Sequence, residues 1–251
     1  MANDKELSGR VAVVTGAGRN IGRAIALALA DGGAAVVVNV RSNQKEADAV
    51  VSEIVKAGGR ALAVAADVTD PAAVQKMAAA AAGQFGRIDI LVNNAAVRAE
   101  QPFESMSLAD WRAVTAIILD GAFNCVKACL PYLKQSGAGS IVNIGGLSSH
   151  TGAAHRPHVV TAKAGIVGFT RALAHEFAPD KIRVNTVTPG VMSTPRPAGS
   201  PEPQHHSIVQ VLAGRRGEPS DVASAVRFLC GPGAAFITGQ NLQVNGGAFL
   251  G

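Results

Sequence analysis

The stretch VAVVTGAGRNIG, Val11 to Gly22, predicts how this chain folds. It begins with β-branched and small apolar residues, which favour a buried strand. Glycines at 16, 18 and 22 follow, where the chain must turn sharply before a helical pattern begins. A strand, a glycine-rich turn and a helix in this order indicate the first unit of a parallel sheet covered by helices.

Apolar runs of the same kind recur along the chain and alternate with helical patterns. We expect strands at residues 11–15, 35–40, 61–67, 88–94, 140–144, 183–189 and 241–247. We expect helices to begin near Ile21, Gln44, Pro71, Leu108, Thr161 and Pro219. The pattern predicts an α/β fold, with a doubly wound, seven-stranded parallel sheet of the Rossmann type in one domain over residues 1–251.

One segment breaks this alternation. STPRPAGSPEPQHHSIVQ, residues 193–210, contains four of the 12 prolines and shows little periodicity. In doubly wound folds ligands bind beyond the carboxyl ends of the strands, and long irregular segments there are usually functional. We therefore expect 193–210 to form a substrate lid.

Composition narrows the class of protein. Hydrophobic residues make up 48% and charged residues 16%, and the three cysteines show no CxxC spacing. With no export signal and no membrane-spanning apolar run expected, these features favour a cytoplasmic protein. The net charge of +5 is scattered and aromatic residues are only 4%, so we expect no nucleic-acid partner and no membrane partner.

The glycine turn suits a phosphate group. Gly16, Gly18 and Gly22 would let the backbone approach a pyrophosphate, which the amides at the start of the following helix attract. A glycine-rich turn after the first strand of such a sheet indicates dinucleotide binding.

Four motifs together resemble the short-chain dehydrogenase/reductase family over nearly the whole chain. They are TGAGRNIG at 15–22, NNAA at 93–96, the helix that carries Lys163, and TPGVMST at 188–194. Asn20 stands where that family usually has a glycine, and asparagine tolerates glycine-like dihedral angles best among other residues. The resemblance implies that the cofactor also contacts Ile21, Asp67, Val68, Asn93, Ala95, Lys163, Pro189, Gly190 and Thr194.

The end of the second strand favours NADP(H) over NAD(H). An NAD site usually has an acidic residue there, whereas this chain has Asn39, Val40, Arg41 and Ser42. Arg41 and Arg19 could hold a 2′-phosphate between two guanidinium groups. The alternative is that both are ordinary surface arginines.

The catalytic positions implied by the resemblance are largely replaced. Lys163 matches the family's lysine, but Val159 stands at the tyrosine, Gly146 at the serine and Ile118 at the asparagine. Tyr132 is the only tyrosine, and its place at the end of a helix suggests a structural role.

Histidines could replace the missing acid, because they titrate near neutral pH. His155 and His158 are the leading candidates, and Ser148 could orient a substrate. His150, His205 and His206 should also border the cleft, although all five could be solvated loop residues. No metal site is expected.

Three functions stay open. The first is NADPH-dependent reduction of a carbonyl compound with a rebuilt proton donor. The second is reduction of a conjugated carbon–carbon double bond, since dienoyl-CoA reductases of this superfamily also keep the lysine without that tyrosine. The third is NADP(H) binding without redox turnover. The expected partners are a small-molecule substrate and further copies of the chain in a dimer or tetramer.

Overall fold

Seven strands form one parallel sheet in the order β3-β2-β1-β4-β5-β6-β7. The structure is a computed structural model that describes residues 5–195 and 210–251. The strands are β1 Val11–Val14, β2 Ala35–Val40, β3 Arg60–Ala65, β4 Ile90–Asn93, β5 Ser140–Ile144, β6 Arg183–Pro189 and β7 Asn241–Val244. The strand order reverses between β1 and β4, which is where ligands bind in such sheets. The predicted fold class is confirmed.

Helices cover both faces of the sheet. They are α1 Asn20–Asp31, α2 Gln44–Lys56, α3 Pro71–Phe85, α4 Leu108–Thr115, α5 Gly121–Ser136, α6 Ser148–Thr151, α7 Pro157–Glu176 and α8 Pro219–Cys230. Val36 and Val38 pack in the core under α1, α2 and α8, whereas Val37 packs in the core under α3, α5 and α7. Alternate residues of one strand thus fill two cores, which is why the strands are apolar throughout.

Helix α7 begins earlier than the sequence pattern predicts. The expected start near Thr161 is wrong by about one turn, because the helix begins at Pro157. Proline at the first helical position has a suitable fixed φ and needs no hydrogen-bond acceptor for its nitrogen. His158, Val159 and Lys163 therefore lie on the same helix.

A long apolar helical segment runs beside the cleft. Helices α4 and α5 are joined by a π-helical turn at Ala116–Asp120, and the whole segment Leu108–Ser136 has 29 residues. Its length and composition would suit a membrane helix, but α3 packs on α5 and α7 packs on α4. Cys125 and Cys129 lie in the core under α3, where burial raises the pKa of the Cys125 thiol to about 12. The segment is a core helix of this fold.

Described residues on either side of the expected lid are bonded to each other. Met192 forms a parallel β-bridge with Gly217, and the Ser193 amide donates to the Gly217 carbonyl at 2.7 Å. Most of the predicted lid, residues 196–209, lies outside the described residues, and so do His205 and His206.

Candidate active site

The glycine turn is closely packed against its own backbone. A Cβ atom on Gly22 would lie 2.2 Å from the Gly16 carbonyl oxygen, and one on Gly18 would lie 2.8 Å from Val40 Cγ1. Gly16 and Asn20 both adopt positive φ, 62° and 51°. Asn20 thus adopts a left-handed conformation, which asparagine tolerates better than most residues other than glycine.

The start of α1 is open to an anion. Arg19 is the residue before the helix and provides no side-chain cap, and the first turn contains no acidic residue. Ile21 anchors the turn by packing against the core under α1. Uncapped amides at a helix start attract phosphate, so the local structure suits a dinucleotide pyrophosphate.

Two residues that sequence reasoning missed hold this turn in place. Thr15 Oγ1 accepts hydrogen bonds from the amides of Asn94 and Ala95, each at 3.0 Å. Asn94 Nδ2 donates to the carbonyls of Thr15 at 2.8 Å and Gly16 at 3.0 Å. The doublet of asparagines at the end of β4 was a signal for such a role. Asn94 thus ties the glycine turn to β4.

Asn39 also acts on the turn from within the protein. Its side chain is buried, and Nδ2 donates to the carbonyls of Val40, Val64 and Ala66. Its Oδ1 accepts from the Gly16 amide at 3.3 Å. These hydrogen bonds occupy both polar atoms of the Asn39 side chain. Asn39 therefore positions the glycine turn from within the protein.

Three of the residues expected at the 2′-phosphate end of the cofactor reach solvent, whereas Val40 is buried. Arg41, Ser42 and Arg19 are exposed. Hydrogen bonds from Thr69 lower the pKa of Asp67, and the charge of Arg41 contributes to this shift. Arg41 therefore lies near enough to Asp67 to influence the edge where the cofactor's adenosine end is expected.

A small cavity joins four of the predicted cofactor residues, Val68, Asn93, Ala95 and Lys163. Its volume is about 10 Å³, which is the room of one water molecule. Isoleucines from the π-helical turn, β5 and α7 form much of the remaining wall.

Lys163 is the cationic residue of this cavity. Its side chain is buried, and Nζ donates to the Ile144 carbonyl at 2.5 Å. Burial lowers the pKa of Lys163 to about 8, and the positive charge of Arg156 acts in the same direction. The lysine is still mainly protonated at neutral pH.

An apolar cluster lies beside Lys163. Val159 and Ile118 are 5% and 3% exposed, and both belong to one cluster with Ala162 and Ile166. At Gly146 an added Cβ would contact Lys163 Cγ at 3.7 Å, so a small side chain would fit there. The three positions thus present apolar atoms or bare backbone.

The candidate histidines His155 and His158 do not line this cavity. His158 is buried, and burial, aided by the charge of Arg156, lowers its pKa. His155 is exposed at a φ of 60°, and its carbonyl accepts from the Gln101 amide at 2.7 Å. Among the predicted catalytic residues, Lys163 lines the described cavity, whereas His155, His158 and Ser148 do not.

Other predicted residues have partners within the fold. His150 stacks on Phe249 with ring centroids 5.0 Å apart, and Ser148 is buried at the start of α6. Thr194 Oγ1 accepts a hydrogen bond from Arg98 at 2.7 Å.

The end of β6 approaches the segment after β7. Pro189 ends β6, and a Cβ on Gly190 would lie 2.7 Å from Asn245 Cα. Over residues 5–195 and 210–251, His, Cys, Asp and Glu form no group that could hold a metal ion.

Comparison with known proteins gives matches along nearly the whole chain. A family model described as enoyl-(acyl carrier protein) reductase matches residues 16–248. A 3-oxoacyl-[acyl-carrier-protein] reductase of Synechocystis sp. is 41% identical over 247 residues, covering 97% of this chain and 98% of the relative. A Vibrio cholerae reductase of the same name is 38% identical over 245 residues, covering 97% and 99%.

Solved structures agree with these sequence matches. A dehydrogenase/reductase from Sinorhizobium meliloti superposes with a TM-score of 0.91 at 36% identity, covering 99% of this chain and 98% of the other. A short-chain dehydrogenase/reductase from Brucella melitensis gives 0.88 at 37% identity, covering 98% and 99%. Together with the glycine turn and the buried lysine, these matches establish that the chain belongs to the short-chain dehydrogenase/reductase family of oxidoreductases.

Proposed function

We propose that this protein binds NADP(H) and reduces the carbonyl group of a small-molecule substrate without the family's usual serine and tyrosine. The observation that carries this proposal is that a residue tied to the glycine turn and the buried lysine of α7 line the same cavity. Ala95, which Thr15 ties to the glycine turn, and Lys163 line the same cavity, while Ile118 contributes an apolar wall. A 3-oxoacyl thioester is the first substrate to test, because 3-oxoacyl-[acyl-carrier-protein] reductases align with almost the whole chain.

The preference for NADP(H) rests on charge at the end of β2. Asn39 occupies the place where a carboxylate would favour NAD(H), and Arg41 and Arg19 are exposed. Two guanidinium groups suit the oxygens of a 2′-phosphate. NADPH, when bound, supplies the hydride for the reduction.

The chain's own residues bind and orient the reactants. The amides at the start of α1 would hold the pyrophosphate, and Lys163 would hold the nicotinamide ribose. The apolar cluster around Val159 and Ile118 would keep bulk water from a reacting carbon placed beside it. The proton comes from a donor other than tyrosine, and His155, His158 and Ser148 remain the candidates suggested by sequence for donating it or orienting the substrate.

Reduction of a conjugated carbon–carbon double bond is the second candidate. It is favoured by the family model described as enoyl-(acyl carrier protein) reductase and by a lysine kept beside an apolar wall. Hydride addition to an enone gives a delocalised enolate, which a cation can stabilise with less need of a phenol.

We also propose a cytoplasmic homo-oligomer. Large apolar side chains are exposed among the described residues of the single chain, including Phe103, Leu108, Phe123, Phe228, Phe236, Leu242 and Leu250. Where such side chains form contiguous patches, they usually mark contacts between proteins.

The test compares three substrates with the purified protein and NADPH: a 3-oxoacyl thioester, an enoyl thioester and a simple ketone. The carbonyl proposal predicts faster NADPH oxidation with the 3-oxoacyl thioester, and a large loss in Lys163→Met. Turnover of the enoyl thioester alone would favour the second candidate. Saturable NADPH binding without oxidation of any substrate would point to cofactor binding without redox turnover. His155→Gln and His158→Gln decide whether either histidine donates the proton.

A further inference from the structure

One histidine that the proposed reaction does not use is held by amide side chains and an aromatic ring. His150 lies half-buried in α6, and its ring stacks on Phe249 with centroids 5.0 Å apart. Its Nε2 lies 2.9 Å from Asn241 Nδ2 and 3.4 Å from Gln243 Nε2, and both amides belong to β7. Three parts of the chain therefore meet at this ring: α6, β7 and the segment that follows β7.

Backbone groups fix the orientation of these amides and so decide which ring nitrogen carries the proton. The Gly247 amide can only donate, so the Asn245 atom that lies 2.9 Å from it is the oxygen. The nitrogen of Asn245 then donates to the Phe249 carbonyl and to Gln243 Oε1, each at 3.1 Å. Because the oxygen of Gln243 is used here, its nitrogen faces His150. The ring nitrogen Nε2 is therefore the acceptor, which leaves the proton of the neutral ring on Nδ1.

The network extends from the histidine ring to the end of β5. Thr188 Oγ1 donates to Asn241 Oδ1 at 2.6 Å, which turns the nitrogen of Asn241 to the ring. Thr188 packs closely on Gly145, where an added Cβ would lie 2.6 Å from the threonine oxygen. At the next residue, Gly146, an added Cβ would contact Lys163 Cγ at 3.7 Å. Two side chains thus connect the ring to the backbone beside the buried lysine.

Helix α6 directly continues this backbone. The Ser149 amide and Oγ both donate to the Gly146 carbonyl, at 3.0 and 2.7 Å, and the Leu147 amide donates to the Pro189 carbonyl at 3.0 Å. The helix lies beyond the carboxyl end of β5, on the side of a doubly wound sheet where ligands bind. It includes Ser148, the residue that the sequence suggests for orienting a substrate. Gly146 has no side chain for that task, so the adjoining helix is the element to position.

We propose that His150 is a positioning residue, which in its Nδ1–H form ties α6 to β7 and to Phe249 and so sets how tightly a substrate binds beside Gly146. This inference deepens the proposed function and rests on it. Without the acceptor at Nε2, the amides of Asn241 and Gln243 would each lose a hydrogen bond and α6 its attachment. The glycine turn is held by other side chains, so NADPH binding should not depend on His150.

The tautomer is tested on the wild-type protein by nitrogen NMR with isotope-labelled histidine at about pH 8, where an ordinary histidine is neutral. The signals of His150 are assigned by their absence in His150→Gln. We expect Nε2 of His150 to appear as the nitrogen without a proton. A proton on Nε2 would overturn the arrangement, because its N–H would then face the two amide donors.

The attachment of α6 is tested without substrate, by hydrogen–deuterium exchange over residues 147–152. His150→Leu removes the acceptor, so amide exchange in this segment should become about 10-fold faster. In His150→Gln an oxygen replaces Nε2 as the acceptor, and exchange should stay near the wild-type rate. His175→Leu is the matched control, because His175 is exposed in the last turn of α7. Equal exchange in all four proteins would contradict the attachment.

The role in substrate binding is tested by steady-state kinetics with a 3-oxoacyl thioester, together with fluorescence titration of NADPH. In His150→Leu we expect KM for the thioester to rise about 10-fold while kcat changes less than about three-fold, since binding is lost and the chemical step is kept. The Kd of NADPH should be unchanged, and His150→Gln should recover most of the loss in KM.

The kinetic outcomes separate this inference from the proposed function. An unchanged KM in a wild-type-active protein would overturn the positioning role and leave the proposed function intact. An equal loss of NADPH affinity and thioester affinity would also overturn it, because it would show damage to the whole site. If the wild-type protein reduces no substrate, the proposed function fails and the substrate-positioning role fails with it. The NMR and exchange results then still decide whether His150 ties α6 to β7.

Discussion

The glycine turn and the surroundings of Val159 flank Lys163 and are built in opposite ways. At the turn, Thr15, Asn39 and Asn94 use nearly every polar side-chain atom to fix backbone that can receive an anion. Beside Val159, α4, α5 and α7 pack through aliphatic side chains. The first region suits an anion, whereas the second presents aliphatic side chains to the cavity. We therefore expect that cofactor binding and proton donation can be changed separately in this chain.

Restoring the family's usual catalytic residues beside Lys163 should have the largest effect. The triple variant Ile118→Asn, Gly146→Ser and Val159→Tyr returns the groups implied by family resemblance, and an added Cβ at position 146 is accommodated. General acid catalysis is worth about 10²- to 10⁴-fold, so carbonyl reduction should rise by that order in steady-state assays with NADPH.

Gly146→Ser alone is the control for the rebuilt variant and should bring little gain, because a serine orients the substrate and does not supply the proton. A folded triple variant that binds NADPH but reduces the substrate no faster than wild type would contradict this prediction. It would show that the missing catalytic groups at these three positions do not limit the rate of reduction.

Gly22→Ala should distort the glycine turn and weaken NADPH binding. The new Cβ would collide with the Gly16 carbonyl at 2.2 Å and displace the turn. Strain of about 3 kcal/mol would weaken NADPH binding on the order of 100-fold, measured by fluorescence titration. Gly83→Ala in α3 is the control, since nothing lies within 4 Å of its Cβ. Equal NADPH affinity in both variants would contradict the assigned turn.

Arg41→Ala tests whether the protein prefers NADPH over NADH. Loss of a charge-assisted contact worth about 1.5 kcal/mol should weaken NADPH binding roughly 10-fold and leave NADH binding unchanged. Lys56→Ala, an exposed cation at the end of α2, serves as the control in the same titrations. A parallel loss for both cofactors would place Arg41 outside the 2′-phosphate site.

The smallest effect concerns His158 and pH. Burial lowers the pKa of His158, so the unfolded chain binds a proton at a pH where the folded chain does not. Wild-type stability should therefore fall as pH decreases below about 6.5, and rise again as pH increases. His158→Gln should flatten this dependence by about 1 kcal/mol or less in urea unfolding at several pH values. Identical pH profiles would mean that His158 does not titrate differently on folding.

The sequence predicted the sheet well because each strand is apolar for its whole length, a pattern that reports burial on both faces directly. It also located the residues at the ends of β1 and β4, since glycines and asparagines there interrupt apolar runs. It could not show that Asn39 turns inward or that Asn94 bonds to Thr15, because these contacts join residues far apart in the chain.

The surroundings of the catalytic positions were harder to foresee. Ile118 and Val159 belong to different helices, and their packing together depends on how α4, α5 and α7 meet. The start of α7 at Pro157 buries His158, so the histidine that looked like a loop residue lies inside the fold.

The central claim is that the protein transfers a hydride from NADPH to a substrate without the family's usual tyrosine. Isotope transfer tests this claim most directly. The wild-type protein is incubated with NADPH deuterated at the transferred position and a 3-oxoacyl thioester, and the product is analysed by mass spectrometry. We predict one deuterium on the new hydroxyl-bearing carbon, at a rate that falls in Lys163→Met. Saturable NADPH binding with no deuterium in the product would contradict the account.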